Sequence, residues 1–211
     1  MRKKQKLSSP YQALTNYLPE GTFDLVETHL VRNGVALKIS RPRLTKLGDY
    51  RPPHRRGEPH KISVNGDMNP YAFVVTLVHE IAHLYTYKTY GRRVKPHGNE
   101  WKSYFKQLMQ PIMARDVFPE SINSSLNQYL DNPAASSCTD ESLYLALDQF
   151  NTNNKEMVRV GDLDPGRRFL FRKRVFKLEH KLRKRYRCIE ESTQRPYNFS
   201  ALAEVTPLHE K

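Results

Sequence analysis

Residues 79–83 read His-Glu-Ile-Ala-His, and this pattern constrains the fold more than any other part of the chain. It lies in an apolar run from Tyr71 to Tyr85, which follows Asn69-Pro70 and precedes Gly91. An Asn cap, a Pro in the first turn and a Gly beyond the last predict one helix across the run. On that helix His79 and His83 stand one turn apart, so both imidazoles leave the same face. Two nitrogen donors so placed suit a single zinc ion. Glu80 sits beside the first donor. From there its carboxylate reaches water on the metal rather than the metal itself, and accepts a proton as the water attacks a carbonyl. With 8 His and 13 Glu in 211 residues, composition alone gives about 0.02 such patterns per chain. A Glu and two His inside an apolar helix also need a chemical reason to be there.

A catalytic zinc site takes a third protein ligand and keeps one position open. His97 lies fourteen residues past His83, ahead of Gly98 and a helical stripe of Trp101, Phe105, Leu108 and Ile112. A connection of that length, containing Gly91 and Pro96, can bring the chain back to the metal. Glu100 is the rival ligand. His97 is favoured, with Glu100 supporting the site or capping the helix. His54 and His60 belong to a polar, proline-rich loop and its edge, and read as surface residues.

The remaining periodicities place these motifs. Tyr11, Leu14 and Leu18 follow Ser9-Pro10 at helical spacing, as do Phe23, Val26 and Leu30. Val35–Ile39 and His60–Asn65 alternate as strands. Leu143, Leu147 and Phe150 predict a helix capped by Thr139. After Met157 the pattern changes to short alternating strands at 168–171, 175–178, 185–189 and 197–199, separated by turns such as Asp164-Pro-Gly166. Val175, Leu178 and Leu182 also fit a helical period, and strand is preferred. The expected fold class is therefore α+β. A mainly helical core with a small sheet edge occupies 1–152, and a small all-β module occupies 153–211.

The formal net charge of +13 is concentrated in that module. Between Arg167 and Arg187 eleven residues are Lys or Arg, and Glu179 is the only acid. The segment is +10, which leaves +3 for the rest of the chain. A local block of this kind predicts an anionic partner, with nucleic acid first. Arg172, Lys173, Arg174, Arg183, Lys184, Arg185 and Arg187 are the expected contacts. No groove-reading motif is present, so no base-sequence preference is expected, and single- and double-stranded DNA both stay open. No run approaches the 18 or so apolar residues of a membrane span. The basic start of the chain has no apolar h-region, so a cytoplasmic protein is expected, with association with the nucleoid left open.

Leu77-Val-His-Glu-Ile-Ala-His83, followed by Pro96-His-Gly-Asn-Glu-Trp101, resembles the SprT-like metalloprotease family. That family combines an HExxH helix with a third His in an H-G-x-E-W/F context. Ser40–Arg43, Lys46–Arg51, His60–Asn65 and Tyr197–Val205 are similar to its bacterial branch. The resemblance implies His79, His83 and His97 as ligands of one catalytic Zn2+, with Glu80 as the catalytic carboxylate. It also implies a compact zincin-like core and a protein or peptide substrate. Spartan-type relatives in eukaryotes clear DNA–protein crosslinks in a DNA-dependent way, which implies substrates near DNA. Many members end in a zinc ribbon with paired cysteines. Here Cys138 and Cys188 stand fifty residues apart with no CxxC, so no second, structural zinc is expected. The module is then a degenerate, ribbon-like unit folding on Phe169, Phe171, Phe176, Tyr186, Tyr197 and Phe199, with Cys188 as a small buried apolar residue. The competing reading is a non-catalytic zinc-containing protein that binds nucleic acid or assists transcription. Glu80 argues against it, because a purely structural site does not need that carboxylate.

Overall fold

The computed structural model describes residues 9–43, 46–133, 140–151 and 157–208. The fold is α+β, and the chain forms two compact units, residues 1–151 and 152–211.

In the first unit the order is α1 (Phe23–Arg32), β1 (Ala36–Ser40), β2 (Gly48–Arg51), β3 (Lys61–Asn65), α2 (Pro70–Tyr90), α3 (Asn99–Met113), α4 (Glu120–Asp131) and α5 (Glu141–Asp148). The sheet order is β1-β3-β2, with β3 parallel to β1 and antiparallel to β2. This leaves β2 at an edge. The helix expected around the zinc motif is α2. Asn69 Oδ1 accepts from the Ala72 N–H at 2.9 Å, Pro70 opens the first turn, and Gly91 ends the helix at φ 63°. A helix apolar on most of its circumference has to be surrounded. Accordingly Phe73, Val74, Val75, Leu77, Val78, Ile81 and Leu84 are all buried in the core of this unit. The Asn69 side chain also donates to Leu147 O (2.9 Å) and Asn151 Oδ1 (2.7 Å), tying the start of α2 to α5.

Several local expectations change. The stripe Tyr11, Leu14, Leu18 forms only a 3₁₀ turn at Gln12–Asn16, with backbone bonds from Leu14 N–H to Tyr11 O (2.8 Å) and from Tyr17 N–H to Leu14 O (2.9 Å), although Ser9 Oγ accepts from the Tyr11 N–H as a cap would. Leu14 and Leu18 are nonetheless core residues. Strand β2 is an addition to the expected elements. It has no apolar alternation and exists through its pairing with β3. Helix α4 is a second addition, and Ile122, Leu126, Tyr129 and Leu130 form its buried stripe. Asp140 caps α5 through the Leu143 N–H. Thr139, the expected cap, and Cys138 lie outside the described residues.

The second unit is a six-stranded antiparallel sheet. Its strands are β4 (Val158–Arg159), β5 (Arg168–Phe171), β6 (Arg174–Lys181), β7 (Arg185–Glu190), β8 (Pro196–Ser200) and β9 (Glu204–Pro207), in the order β4-β9-β5-β6-β7-β8. Val160, Phe169, Phe176, Leu178, Cys188, Phe199 and Val205 make its core. Within 175–182 the strand period prevails. Phe176 and Leu178 point inward, while Val175 and Lys177 pair with Leu170 and Arg168. Cys188 is fully buried, and burial, with Glu179 adding to it, pushes its thiol up to about 12. No helix among the described residues is long and apolar enough to cross a membrane.

Candidate metal centre

His79 and His83 project from α2, and His97 comes from the turn just before Gly98, the N-cap of α3. Their Nε2 atoms form a nearly equilateral triangle, 3.2 Å from His79 to His83, 3.0 Å from His83 to His97, and 3.2 Å from His97 to His79. Nitrogens bound tetrahedrally to one zinc at 2.0–2.1 Å lie about 3.3 Å apart. The triangle therefore fits one such ion. It is the only group of three or more metal-ligating side chains among the described residues. Burial, reinforced by the charges of the other two His, pushes His79 down to about 3. Burial, then His97, holds His83 at about 4, and burial lowers His97 as well. All three imidazoles are thus neutral near pH 7, the form that offers a lone pair to a metal.

Trp101, in the first turn of α3, is the wall against which the triangle is built. It is 0% exposed, and its ring lies 4.5 Å from His79, 5.5 Å from His83 and 4.8 Å from His97 between centroids. Its Nε1–H donates to His79 O at 3.3 Å, and Phe105 stacks on it at 5.1 Å. The helical stripe marks Trp101 as a core residue and does not by itself reveal its contact with all three His. Its spacing of four from His97 is the one signal of that contact in the sequence.

Glu80 is 6% exposed, and its carboxylate lies against β2. The Tyr50 backbone N–H faces it and favours its charged form. A Cβ on Gly48 would overlap Glu80 Oε1, so a side chain at that point would displace the carboxylate. Burial first, then the nearby Asp49 charge, raises Glu80 to about 8, against the pull of Tyr50 N–H, Arg43 and Lys46. The carboxylate is outside the nitrogen cluster, as a proton acceptor beside a metal would be.

The SprT-like family model matches residues 26–123, a span that contains the triangle, Glu80 and Trp101. The chain carries a SprT-like domain. Protein SprT of Vibrio parahaemolyticus is 49% identical over 41 residues, which is 19% of this chain and 24% of that protein. Protein SprT of Vibrio atlanticus is 44% identical over 57 residues, 26% and 33% of the two chains. Protein SprT of Actinobacillus succinogenes is 49% identical over 43 residues, 20% and 25%. The chain thus spans about a quarter to a third of the curated relatives it matches. No solved structure matches it.

Within the SprT-like domain the third nitrogen is that of His97, and Glu100 is not part of the cluster. Glu100 packs instead beside Gly98 in the first turn of α3, where a negative charge favours the helix N-terminus. His54 is exposed. His60 meets Tyr50 rather than the triangle, with its Nδ1 2.9 Å from the phenol oxygen.

The basic block lies wholly in the second unit, and folding divides it. Arg172 and Lys173 form the two-residue turn between β5 and β6, both at positive φ (50° and 65°), where Asn-Gly is the usual choice. Arg183, Lys184 and Arg185 lie past the other end of β6, roughly 24 Å away by strand rise. Arg174 pairs with Glu190, and Arg187 Nε with Glu179 at 2.8 Å. These two cations are partly neutralised within the unit.

Proposed function

We propose that the protein is a zinc-dependent metallopeptidase of SprT type that acts on protein or peptide substrates close to nucleic acid. The observation that carries the reading is the near-equilateral Nε2 triangle with a buried carboxylate beside it on the same helix. In this reading His79, His83 and His97 hold zinc, which supplies Lewis acidity and makes water acidic near neutral pH. Glu80, oriented by the Tyr50 N–H, takes a proton from the attacking water on its carboxylate and returns it to the leaving amine. Its raised affinity for a proton suits a base that works near neutrality, and a bound dication would draw that affinity back down. A zinc protein that only binds nucleic acid would need no buried carboxylate at this point, nor a glycine to accommodate it.

The cationic turns of the second unit support docking on a polyanion, and DNA is the partner proposed. The deciding experiment compares wild type with Glu80→Gln on a DNA-crosslinked protein, with and without free DNA. Hydrolysis by wild type and none by a zinc-loaded Glu80→Gln chain is the expected result. Equal behaviour on every substrate would leave the peptidase reading without support.

A further inference from the structure

We propose that Tyr50 of β2 is a positioning residue that fixes both the ligand His83 and the base Glu80, an inference that rests on the metallopeptidase reading. Three contacts converge on it. Its backbone N–H faces the Glu80 carboxylate, which packs against the same strand at Gly48. Its ring runs parallel to that of His83, with planes 7° apart and centroids separated by 6.4 Å, within the range of offset aromatic pairs. Its phenol oxygen lies 2.9 Å from His60 Nδ1, and the two rings are stacked at 5.9 Å.

Tyr87 completes the enclosure. It stands one helical turn beyond His83 on the same face of α2, with its ring 6.3 Å from Tyr50 and 6.1 Å from His60. The Tyr50 ring is thereby held by a hydrogen bond at its tip and by rings on its sides. Its backbone is fixed by pairing of Tyr50 with Ile62 in β3. An edge strand leaves some N–H groups outside the ladder, and at Tyr50 that group is directed to Glu80. A ligating imidazole rotates unless neighbouring groups prevent it, and outer partners of this kind change metal affinity or activity by about 10–100-fold. Trp101 and Tyr50 both bound the His83 ring. Of these two, Tyr50 is the one whose strand also packs against the carboxylate, so one residue couples where the metal sits to where the proton goes.

The test uses the full chain and reads metal binding before any turnover. Zinc affinity is measured by competition with a chromophoric chelator, and site geometry by the visible spectrum after Co2+ loading. Tyr50→Leu removes the ring, and should lower zinc affinity about 10–100-fold and shift the Co2+ bands. Tyr50→Phe keeps the ring and should restore most of that affinity. His60→Ala removes the tether and should fall between the two. Where turnover is measurable, Tyr50→Leu should lower kcat with little change in KM. Wild-type affinity and an unchanged Co2+ spectrum in Tyr50→Leu overturn the proposal. If that variant does not fold, an unchanged spectrum in His60→Ala overturns it equally. A wild-type chain that binds zinc yet cleaves nothing defeats the metallopeptidase reading, while the Tyr50 comparison still stands. A wild-type chain that takes up neither zinc nor cobalt overturns both.

Discussion

Gly48 of β2 and Glu80 of α2 are in direct apposition, with no room for a methyl group between the strand and the carboxylate. The closeness brings the Tyr50 N–H, two residues along the strand, to face Glu80. It leads to a first prediction. Gly48→Ala should push the Glu80 carboxylate out of place, and a shift near 1 Å can cost on the order of 100-fold in rate. Zinc content should be unchanged, because the three atoms nearest to a methyl group at Gly48 all belong to Glu80. Steady-state kinetics on zinc-quantified protein checks this, and wild-type kcat in the variant would show that the carboxylate has room to move.

His97, rather than Glu100, completes the triangle. His97→Ala should reduce bound metal from about one zinc per chain to near none after dialysis, as should His79→Ala and His83→Ala. Glu100→Gln should keep its zinc. Elemental analysis of the four variants separates the two candidates directly, and zinc loss in Glu100→Gln with retention in His97→Ala would reverse the assignment.

Trp101 joins α3 to the metal helix through ring contacts and one hydrogen bond. Trp101→Ala should destabilise the first unit by about 3–5 kcal/mol, the usual range for removing a fully buried aromatic side chain. It should also weaken zinc binding, since all three imidazoles lose the same wall. Trp101→Phe should recover much of the stability, because Phe105 can still stack on the ring. Denaturant melts with and without chelator test both effects.

Two clusters of cations cap opposite ends of β6. Replacing Arg183, Lys184 and Arg185 by Gln should weaken DNA binding and flatten its salt dependence, by about 1 in log–log slope for each phosphate that is no longer neutralised. Replacing Arg187 should do less to the slope, because Glu179 already pairs with it. Fluorescence anisotropy across a salt series measures the slopes. An unchanged slope in the triple variant would make the block a solvated face.

The Arg174 guanidinium, then the Thr193 and Ser192 hydroxyls, hold the Glu190 carboxyl down to about 2. A depressed carboxyl contributes stability that is complete above its unfolded value, near 4.5, and is lost as pH falls through the folded value. The second unit should therefore lose stability between about pH 4.5 and 2. Glu190→Gln should be less stable at pH 7 and show a flatter acid limb. Thermal melts from pH 7 to 2 provide the comparison, and parallel curves for the two proteins would remove Glu190 as the cause.

Much of the site is legible in the sequence because its chemistry is local. The spacing of His79, Glu80 and His83 on one capped helix determines which face carries the donors, since the α-helical period depends only on backbone geometry. Gly98 and the stripe that follows it mark the start of the next helix, and hence a place from which His97 can return. Alternation marks four of the second unit's six strands, β5 to β8, where a period of two keeps one face apolar, while β4 and β9 are not marked by it. Strand β2 is not legible in this way. Its four residues have no pattern of their own and become a strand through hydrogen bonds to β3. Nor is the meeting of Gly48 and Tyr50 with Glu80, or of Trp101 with three imidazoles, because each joins elements separated along the chain. The basic block shows the same division. Its charge is determined by composition. Its separation into two ends of a strand, with Arg174 and Arg187 paired internally, is decided by tertiary folding, which alone sets the distance between charges.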